Sequence, residues 1–362
     1  MKKLERISVL KGDGIGPEVV DQALKVLRAI GDKYGHQFSF QEALIGAVAI
    51  DETGMPLPEE TIQTCLASDA ILLGAIGHPR FDNDPSAKVR PEQGLLGLRK
   101  TLKLFANIRP VRIFEDLRHL SVLKEEVLEG VDMIIYRELT GGIYFGEKSK
   151  NESEASDLCH YHKYEIERIV RLAFEEAKRR RKQLCLIDKA NVLDTSRLWR
   201  EVVREMAPEF PEVVVDYLFI DNAAMQMILN PSQFDVIVTS NMFGDIISDE
   251  ASVLGGSLGL LPSSSAGEGP RLYEPVHGSY PQAAGKNIAN PIATILSVEM
   301  MLRDFGLAKE ADDIVQAVNY CIKNKLLTQD LEKDFPLLCS EVGDKIAGFI
   351  NSESTKDFGV LI

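Results

Sequence analysis

The chain has 362 residues, of which 45% are hydrophobic and 27% charged, which is typical of a soluble globular protein large enough for two domains. Its formal net charge of −14 argues against a nucleic-acid partner, so any site for an anionic substrate must be locally basic. No apolar run has the length of a signal-peptide core or a membrane span, and we expect no membrane association. Five scattered cysteines without metal-binding spacing predict reduced thiols and a cytoplasmic location.

Strand-like apolar runs alternate with amphipathic helical patterns along the chain. The predicted strands are residues 7–10, 70–73, 133–136, 184–187, 213–219 and 235–238, and the clearest helices are 17–30 and 163–180. This alternation predicts an α/β fold with a largely parallel sheet. The basic run 178–182 lies at the C-terminal end of a predicted helix, where it complements the helix dipole and is less typical of a nucleic-acid site. The Gly/Ser-rich stretch 255–269 predicts a domain hinge or a site loop.

The first strand is followed by the glycine-rich sequence KGDGIGPEVV. Gly12, Gly14 and Gly16 alternate, whereas the dinucleotide fingerprint of a Rossmann fold needs G-x-G-x-x-G. Pro17 stands where the helix is expected to begin. We therefore predict a tight strand-to-helix turn here, with contact to a phosphate or ribose as the alternative.

Three arginines are candidates for binding a substrate with carboxylates. Arg99 is predicted on a helix, Arg109 shortly beyond it, and Arg137 at the end of a strand. The carboxyl ends of strands in α/β folds are where ligands bind, and arginine holds a carboxylate with two parallel hydrogen bonds. Tyr144 follows on a glycine-flanked stretch, where a core tyrosine is the alternative. Taken singly, Arg99 and Arg109 are more typical of a surface arginine or an ion pair, whereas Arg137 is the exception because it follows a strand.

Acidic residues and one lysine suggest a metal-assisted site. Lys189 and Asp221 follow predicted strands, and Asp245 and Asp249 are four residues apart in a predicted helix. Residues with this spacing share a helix face, about 6 Å apart along the axis. Two carboxylates that close suit Mg²⁺ or Mn²⁺, although a solvated acidic face remains the alternative.

A series of motifs resembles the isocitrate/isopropylmalate dehydrogenase family, in the same order and over most of the chain. They are GDGIGPE, LLGAIG, GLLGLRKTLKLFANIRPVR, RELTGGIYFGE, DKANVL, SNMFGDIISDEAS, GSLGLLPS, EPVHGS and GKNIANP. The resemblance implies a two-domain α/β fold with parallel and mixed sheets that is not a Rossmann fold. It implies a discontinuous cofactor-side domain of residues 1–102 plus 256–362, and a dimerisation and metal/substrate domain of residues 103–255.

The implied activity is the NAD-dependent oxidative decarboxylation of (2R,3S)-3-isopropylmalate to 4-methyl-2-oxopentanoate in leucine biosynthesis. The resemblance also implies a homodimer in which Lys189, Val192 and Asp221 serve the neighbouring subunit's site. Two alternatives stay open. One is a sister decarboxylase acting on isocitrate, homoisocitrate or tartrate, which the apolar Leu95 and Leu96 disfavour. The other is a non-catalytic relative, which the complete set of acid/base and metal residues disfavours.

Residue by residue, the resemblance implies the following roles. Tyr144 and Lys189 match the acid/base pair, and Asp221, Asp245 and Asp249 match the ligands of Mg²⁺ or Mn²⁺. The substrate positions are Arg99, Arg109, Arg137 and Asp221, with Glu92, Leu95, Leu96 and Val192 near the alkyl group. The positions implied for NAD are Ile15, His78, Glu92, Asn191, Glu274, His277, Gly278, Ser279, Gln282, Ala283 and Asn290.

Two positions depart from the pattern of the family. His78 stands where many members have a glycine beside the cofactor loop, and it introduces a larger, titratable group. Gln282 stands where NAD-dependent members carry an aspartate for the ribose hydroxyls. A neutral glutamine repels a 2′-phosphate less than an aspartate does, so we expect a weaker preference for NAD over NADP.

Overall fold

The structure is a computed structural model that describes residues 4–82 and 88–352. Its strands are β1 (Leu4–Gly12), β2 (Gln37–Glu42), β3 (Ala70–Ala75), β4 (Leu104–Arg112), β5 (Asp132–Glu138), β6 (Lys148–Lys150), β7 (Ala155–Asp157), β8 (Gln183–Asp188), β9 (Val214–Phe219), β10 (Val236–Thr239), β11 (Pro262–Gly267) and β12 (Arg271–Pro275). Its helices are α1 (Gly16–Tyr34), α2 (Ala47–Thr53), α3 (Glu59–Leu66), α4 (Pro79–Asp82), α5 (Glu92–Thr101), α6 (Glu125–Leu128), α7 (Lys163–Arg179), α8 (Asp194–Met206), α9 (Ile220–Leu229), α10 (Asn241–Ser252), α11 (Ile292–Asp304), α12 (Ala308–Lys323) and α13 (Cys339–Asn351). Every predicted strand and helix is present, and the predicted mixed α/β class is confirmed.

The described chain forms two compact units. The first contains the residues up to Leu102, Ser257–Ser264 and the residues from Gly269 onward, and the second contains Lys103–Gly256 and Ser265–Glu268. The chain therefore passes between units within β11, so the Gly/Ser-rich stretch is partly strand rather than an open loop. Across the described residues, no helix is apolar over enough length to cross a membrane.

In the first unit, strands β2, β1, β3 and β12 lie side by side in that order and are all parallel. Every residue of β3 is buried, as is expected for a strand covered on both faces. Helix α1 packs against α13 and α11. Pro17 lies in the first turn of α1, and Gly35 ends the helix in a left-handed conformation with φ of 67°.

In the second unit the strand order is β4, β5, β10, β8, β9. Strand β4 is antiparallel to β5, whereas β5, β10, β8 and β9 are mutually parallel. A core of buried apolar side chains from these strands, α9 and α10 includes Ile135, Ile187, Met227, Ile237 and Ile247. Because the four parallel strands end at one edge, the polar residues that follow them are brought to that edge.

The basic run after α7 has a structural role beyond the helix dipole. Helix α7 ends at Arg179, and Arg180 donates hydrogen bonds to Asp235 and to Asp132, at 2.8 and 2.9 Å. The side chain of Asp235 is fully buried, so its charge requires this partner. Arg181 donates to the carbonyl oxygen of Phe234 at 2.6 Å. Arg180 and Arg181 therefore hold the amino-terminal ends of β5 and β10 together.

The sequence KGDGIG forms the predicted tight turn. Gly12 and Gly14 have φ of 67° and 58°, which are left-handed values that favour glycine. A Cβ on Gly12 would lie 2.0 Å from the carbonyl oxygen of Ala75, so β1 and β3 approach too closely here for a side chain. The glycines are thus explained by turn geometry and strand packing.

Asp13 within this turn is buried and anchors two other backbone segments. Its carboxylate accepts hydrogen bonds from the backbone nitrogens of Ala47, Val48 and Gly77, at 2.9, 3.0 and 2.9 Å. Asp13 is 5% exposed, so these donors have little access to water. The side chain thereby ties the start of α2 and the loop after β3 to the glycine turn.

We predict that Asp13→Ala lowers the free energy of unfolding by about 3 kcal/mol, because it leaves buried N–H groups without an acceptor. Urea unfolding followed by circular dichroism measures this change. Asp21→Ala is the matched control, since Asp21 is exposed and its ion pair with Lys11 contributes about 0–1 kcal/mol. Equal losses in the two variants would contradict the anchoring role.

Candidate active site

Asp245 and Asp249 lie one turn apart on α10, as the spacing predicted. Ile247 and Ala251 bury the opposite side of the helix, whereas Ile246 is 55% exposed. Each aspartate faces an arginine: Asp245 makes a close ion pair with Arg137, and Asp249 accepts from Arg109 at 3.0 Å. The two carboxylates are therefore balanced by two guanidinium groups from neighbouring strands.

Arg109 and Arg137 are held by buried side chains as well as by these acids. Arg137 near the end of β5 directs Nε and Nη2 to the Oδ1 atom of Asn241, at 3.1 and 3.0 Å. Arg109 on β4 donates from Nε to Oδ1 of Asn107 at 2.7 Å and from Nη1 to Oγ of Ser248 at 2.8 Å. Asn107 lies directly opposite Arg137 in the β4–β5 register, so these side chains share one face.

Tyr144 lies in a short 3₁₀ turn, Gly142–Tyr144, that follows β5. Buried Glu138 accepts from the backbone nitrogens of Thr140 and Gly141, which fixes the chain leading into the turn. Gly142 has φ of 76°, and a Cβ there would lie 2.4 Å from the Tyr161 hydroxyl. The turn therefore requires glycine and presses against Tyr161.

The Tyr144 hydroxyl donates a hydrogen bond to Oδ2 of Asp245 at 2.9 Å. Partial burial and the neighbouring Asp245 carboxylate raise the pKa of Tyr144 above its usual value. The hydroxyl is therefore protonated at neutral pH and able to donate a proton. Tyr144 is 41% exposed, so the alternative of a core tyrosine is wrong.

Lys189 follows β8, and its ammonium group donates to Oδ1 of Asp221 at 2.7 Å. This hydrogen bond lowers the pKa of Asp221, whose side chain is 66% exposed. The turn that carries Lys189 is fixed by hydrogen bonds of the preceding residue and of its own backbone. Asp188 accepts two hydrogen bonds from Arg200 at 2.8 Å each, and the Lys189 backbone nitrogen donates to Oγ of Ser196 at 3.1 Å.

The predicted aspartate trio is not assembled within one chain. Asp221 is paired with Lys189, and no group of three His, Cys, Asp or Glu side chains in residues 4–82 and 88–352 is arranged to hold a metal ion. The donors on α10 nevertheless suit Mg²⁺ or Mn²⁺, because carboxylate oxygens are the ligands these hard cations prefer. The side chains of Asp245 and Asp249 are 36% and 70% exposed, so a cation can reach them from solvent.

The remaining substrate candidates lie on α5 in the first unit and on the segment after Lys189. Arg99 donates to Oε1 of Glu274 at 2.7 Å, and both side chains are mostly buried. Leu96 is 47% exposed and Leu95 is partly buried, so α5 presents apolar surface. Val192 is 62% exposed in the second unit. Glu92, at the start of α5, and Asn191 are also exposed.

The cofactor candidates divide into core and surface groups. Ile15 and Ala283 pack their side chains into a buried cluster with Val19, Ala289 and Cys339, so those side chains do not face a ligand. Asn290 is buried and bonded to Asp330 and to the backbone of Ile292, and the backbone of Ser279 accepts from Ile15. Gln282 is exposed, and His78 is partly buried with Nδ1 accepting from the Arg80 backbone.

His277 has the features of an unused ligand-binding group. Its Nδ1 contacts the carbonyl oxygen of Gly278 at 3.0 Å, whereas Nε2 is shielded from solvent and has no hydrogen-bond partner among the described residues. Burial lowers the pKa of His277, so the ring is neutral at pH 7. A Cβ on Gly278 would meet open space. This segment therefore fits a polar ligand such as a dinucleotide.

Several residues that hold the site in place were missed by the sequence analysis: Asn107, Glu138, Tyr161, Asp188, Arg200, Asn241 and Ser248. Two of them leave a signal in the sequence. Asn107 and Arg109 are two apart on a strand and so share a face. Asn241, Asp245 and Asp249 repeat every four residues on one helix face.

The chain belongs to the isocitrate/isopropylmalate dehydrogenase family. The sequence pattern of that family matches residues 6–346, which is nearly the whole chain. The family resemblance predicted from the sequence motifs is thereby confirmed, and so is the family's mixed α/β fold.

Individual relatives agree with this assignment. The chain is 55% identical over 341 residues to a 3-isopropylmalate dehydrogenase of Bacillus licheniformis, covering 92% of this chain and 91% of that protein. It is 51% identical over 364 residues to a 3-isopropylmalate dehydrogenase of Bacillus subtilis, covering 98% and 99%. Among solved structures, isocitrate dehydrogenase from Methylococcus capsulatus matches with a TM-score of 0.85 and 35% identity, covering 96% and 100%.

We predict that the imidazole of His277 titrates below the usual pKa of about 6.5, because its burial disfavours the charged form. An NMR pH titration of the histidine ring signals, with His277→Asn for assignment, measures this value. The unfolded chain binds this proton at higher pH than the folded chain. Lowering the pH below about 6.5 should therefore destabilise the wild type more than His277→Asn. A His277 signal that titrates at or above pH 6.5 would contradict the burial argument.

Proposed function

We propose that the chain catalyses the NAD-dependent oxidative decarboxylation of (2R,3S)-3-isopropylmalate to 4-methyl-2-oxopentanoate, a step of leucine biosynthesis, in the cytoplasm. The proposal rests on the grouping of Arg109, Arg137, Tyr144, Asp245 and Asp249 at one sheet edge in a member of this family. Relatives named 3-isopropylmalate dehydrogenase share more than half of their residues with this chain.

Substrate binding is assigned to the arginines and to the apolar residues of α5. Arg109 and Arg137 present guanidinium groups that suit the two carboxylates of a malate, and Arg99 is the third proposed carboxylate ligand. Leu95 and Leu96, with Val192, are proposed for the isopropyl group, and Glu92 for the region near the nicotinamide. Apolar side chains around the alkyl group would leave no partner for the third carboxylate of isocitrate.

The metal ion is assigned to Asp245 and Asp249 of one chain together with Asp221 of the neighbouring subunit. When bound, Mg²⁺ or Mn²⁺ would supply positive charge beside the hydroxyl group and adjacent carboxylate of the substrate, and NAD would accept the hydride. Arg109 and Arg137 balance the two aspartates when no cation is present. Once a cation balanced the aspartates instead, the positive charge of both arginines, still held by Asn107 and Asn241, would be available to the substrate carboxylates.

Proton transfer is assigned to two residues with different surroundings. Lys189 is proposed as the base for the hydroxyl proton. This role needs the neutral amine, which ligation of the cation by Asp221 would favour by removing the carboxylate partner of Lys189. Tyr144 is proposed as the acid that delivers a proton to the substrate carbon after loss of carbon dioxide. Its hydroxyl is protonated and already oriented by Asp245, which suits that role.

The cofactor is assigned to the segment around His277. The neutral imidazole offers Nε2 as an acceptor for a donor group of adenine, and Gln282 is proposed beside the ribose. A glutamine can exchange hydrogen bonds with the ribose hydroxyls but carries no charge, so NAD is the proposed cofactor with a modest preference over NADP.

A homodimer with shared sites is proposed because the second unit exposes large apolar side chains on α9, on α10 and on the residue after α10. The exposed fractions are 55% for Met225, 67% for Leu229, 55% for Ile246 and 52% for Val253. Large apolar side chains exposed on two neighbouring helices are typical of association sites. Covering it with a second copy would bring Lys189 and Asp221, at the edge of α9, towards the site of that copy.

Steady-state assays with Mg²⁺ and NAD test the proposed substrate. We expect kcat/KM for isopropylmalate to exceed that for isocitrate by at least about tenfold, and activity to disappear in EDTA. Leu96→Ser should lower kcat/KM for isopropylmalate by about tenfold or more, since each lost methylene contact is worth about 1 kcal/mol. Leu66→Ser is the matched control, because Leu66 on α3 is 48% exposed, against 47% for Leu96.

A preference for isocitrate would replace the proposed substrate by that of the sister enzymes. Activity that persists in EDTA would remove the metal assignment. A loss of activity in Leu66→Ser as large as in Leu96→Ser would show that Leu96 on α5 has no specific role in binding the isopropyl group.

Mixed dimers test the acid/base pair and the shared site together. Tyr144→Phe and Lys189→Met homodimers should each lose about a hundredfold or more in kcat, the usual range for removing a general acid or base. If Lys189 serves the neighbouring subunit, a heterodimer of the two variants contains one site with both residues intact. We expect the activity of purified heterodimers to approach half of the wild-type value, because one of their two sites is intact. No recovery in verified heterodimers would show that one chain supplies both residues of a site.

A further inference from the structure

Two buried asparagines orient the two arginines of the candidate site. Asn107 and Asn241 are each 1% exposed, and each directs Oδ1 at the Nε side of a guanidinium group. The side chains of Arg109 and Arg137 are 15% and 10% exposed. The same arrangement of a buried amide oxygen and an arginine thus occurs twice, on different secondary-structure elements.

The amide of Asn241 has a fixed orientation. Its Nδ2 donates to the carbonyl oxygen of Gly141 at 3.3 Å, and its backbone nitrogen donates to the Tyr161 hydroxyl at 2.9 Å. These contacts determine which end of the amide is the acceptor, so Oδ1 faces Arg137. Asn241 therefore joins the arginine to the chain that leads into the Tyr144 turn.

The holding groups are neutral, although arginine pairs most strongly with a carboxylate. Each arginine already faces one aspartate, so each arginine–aspartate pair has a net charge near zero. A carboxylate in place of either asparagine would make that group of three side chains negative. A negative group would repel a substrate with two carboxylates, in a chain whose net charge is already −14.

We infer that Asn107 and Asn241 are positioning residues that fix Arg109 and Arg137 without neutralising them, and so keep the site receptive to a dianionic substrate. The inference rests on the proposed function in assuming that the substrate is a dicarboxylate. It adds to the sequence-based assignments two residues that touch neither substrate nor cofactor and act through the arginines.

Asn107→Asp is the sharpest test, because it keeps the shape and the acceptor oxygen and adds one negative charge. The KM for isopropylmalate should rise about tenfold or more, while the KM for NAD changes less than twofold. Asn107→Ala removes the acceptor without adding charge, and its KM for isopropylmalate should rise by less than half of the factor seen with Asn107→Asp. Asn241→Asp should reproduce the rise in KM independently.

Asn324→Asp is the matched charge control, since Asn324 is exposed at the end of α12 in the first unit. It should leave both KM values unchanged. Circular dichroism melts identify any variant that fails to fold, in which case the remaining aspartate variant decides. An unchanged KM for isopropylmalate in a folded aspartate variant would overturn the inference. So would equal rises for Asn107→Asp and Asn107→Ala, or a parallel rise in the KM for NAD.

Failure of the proposed substrate gives a different result. In that case the wild type itself prefers another 2-hydroxy diacid over isopropylmalate. The same KM comparison then applies to that acid, because the inference depends on the two carboxylates and not on the alkyl group.

Discussion

Repulsion between two carboxylates on one face of α10 is the constraint on which the site depends. Asp245 and Asp249 are one helical turn apart, and a helix that carries both needs positive charge close by. Arg137 and Arg109 supply it from β5 and β4. Strands β4 and β5 therefore place these two arginines beside α10, and the turn after β5 brings the Tyr144 hydroxyl to the carboxylate of Asp245. Gly142 and buried Glu138 fix the shape of that turn. The backbone conformation after β5 is therefore linked to the charge balance of α10.

The same arrangement explains how an acidic protein can bind an acid. The site contains equal numbers of arginines and aspartates, and neutral amides and a serine hydroxyl fill the remaining positions around the guanidinium groups. A divalent cation that neutralised the aspartates would leave the two arginines with uncompensated positive charge. The positive charge of the arginines would then be available to the substrate only when the cation is bound. Metal and dianionic substrate would therefore each favour the binding of the other.

The sequence predicted the strands and helices well because continuous apolar runs and strong periodicity leave little ambiguity in parallel strands such as β3 and β8. It also predicted that Asp245 and Asp249 share a face, since that depends on local geometry alone. Pairing could not be predicted in this way. Which arginine faces which aspartate, and that Arg180 holds the buried Asp235, depend on contacts between elements far apart in the chain. Asn107 and Asn241 were missed for the same reason, because a buried asparagine and a surface one look alike in a sequence.

In the proposed dimer, the surroundings of Lys189 would connect catalysis with association. Its partner Asp221 is 66% exposed, yet it begins a helix whose Met225 and Leu229 are also largely exposed. An exposed ion pair contributes little to the free energy of unfolding and is weakened by salt. The same two charges in an apolar environment attract each other far more strongly. Covering the apolar side of α9 with a second subunit would remove water from around Lys189 and Asp221 as well. In the proposed dimer, the same contact would bury Lys189, and ligation of the cation by Asp221 would remove the carboxylate that holds Lys189 as an ammonium. Only then could the neutral lysine act as a base.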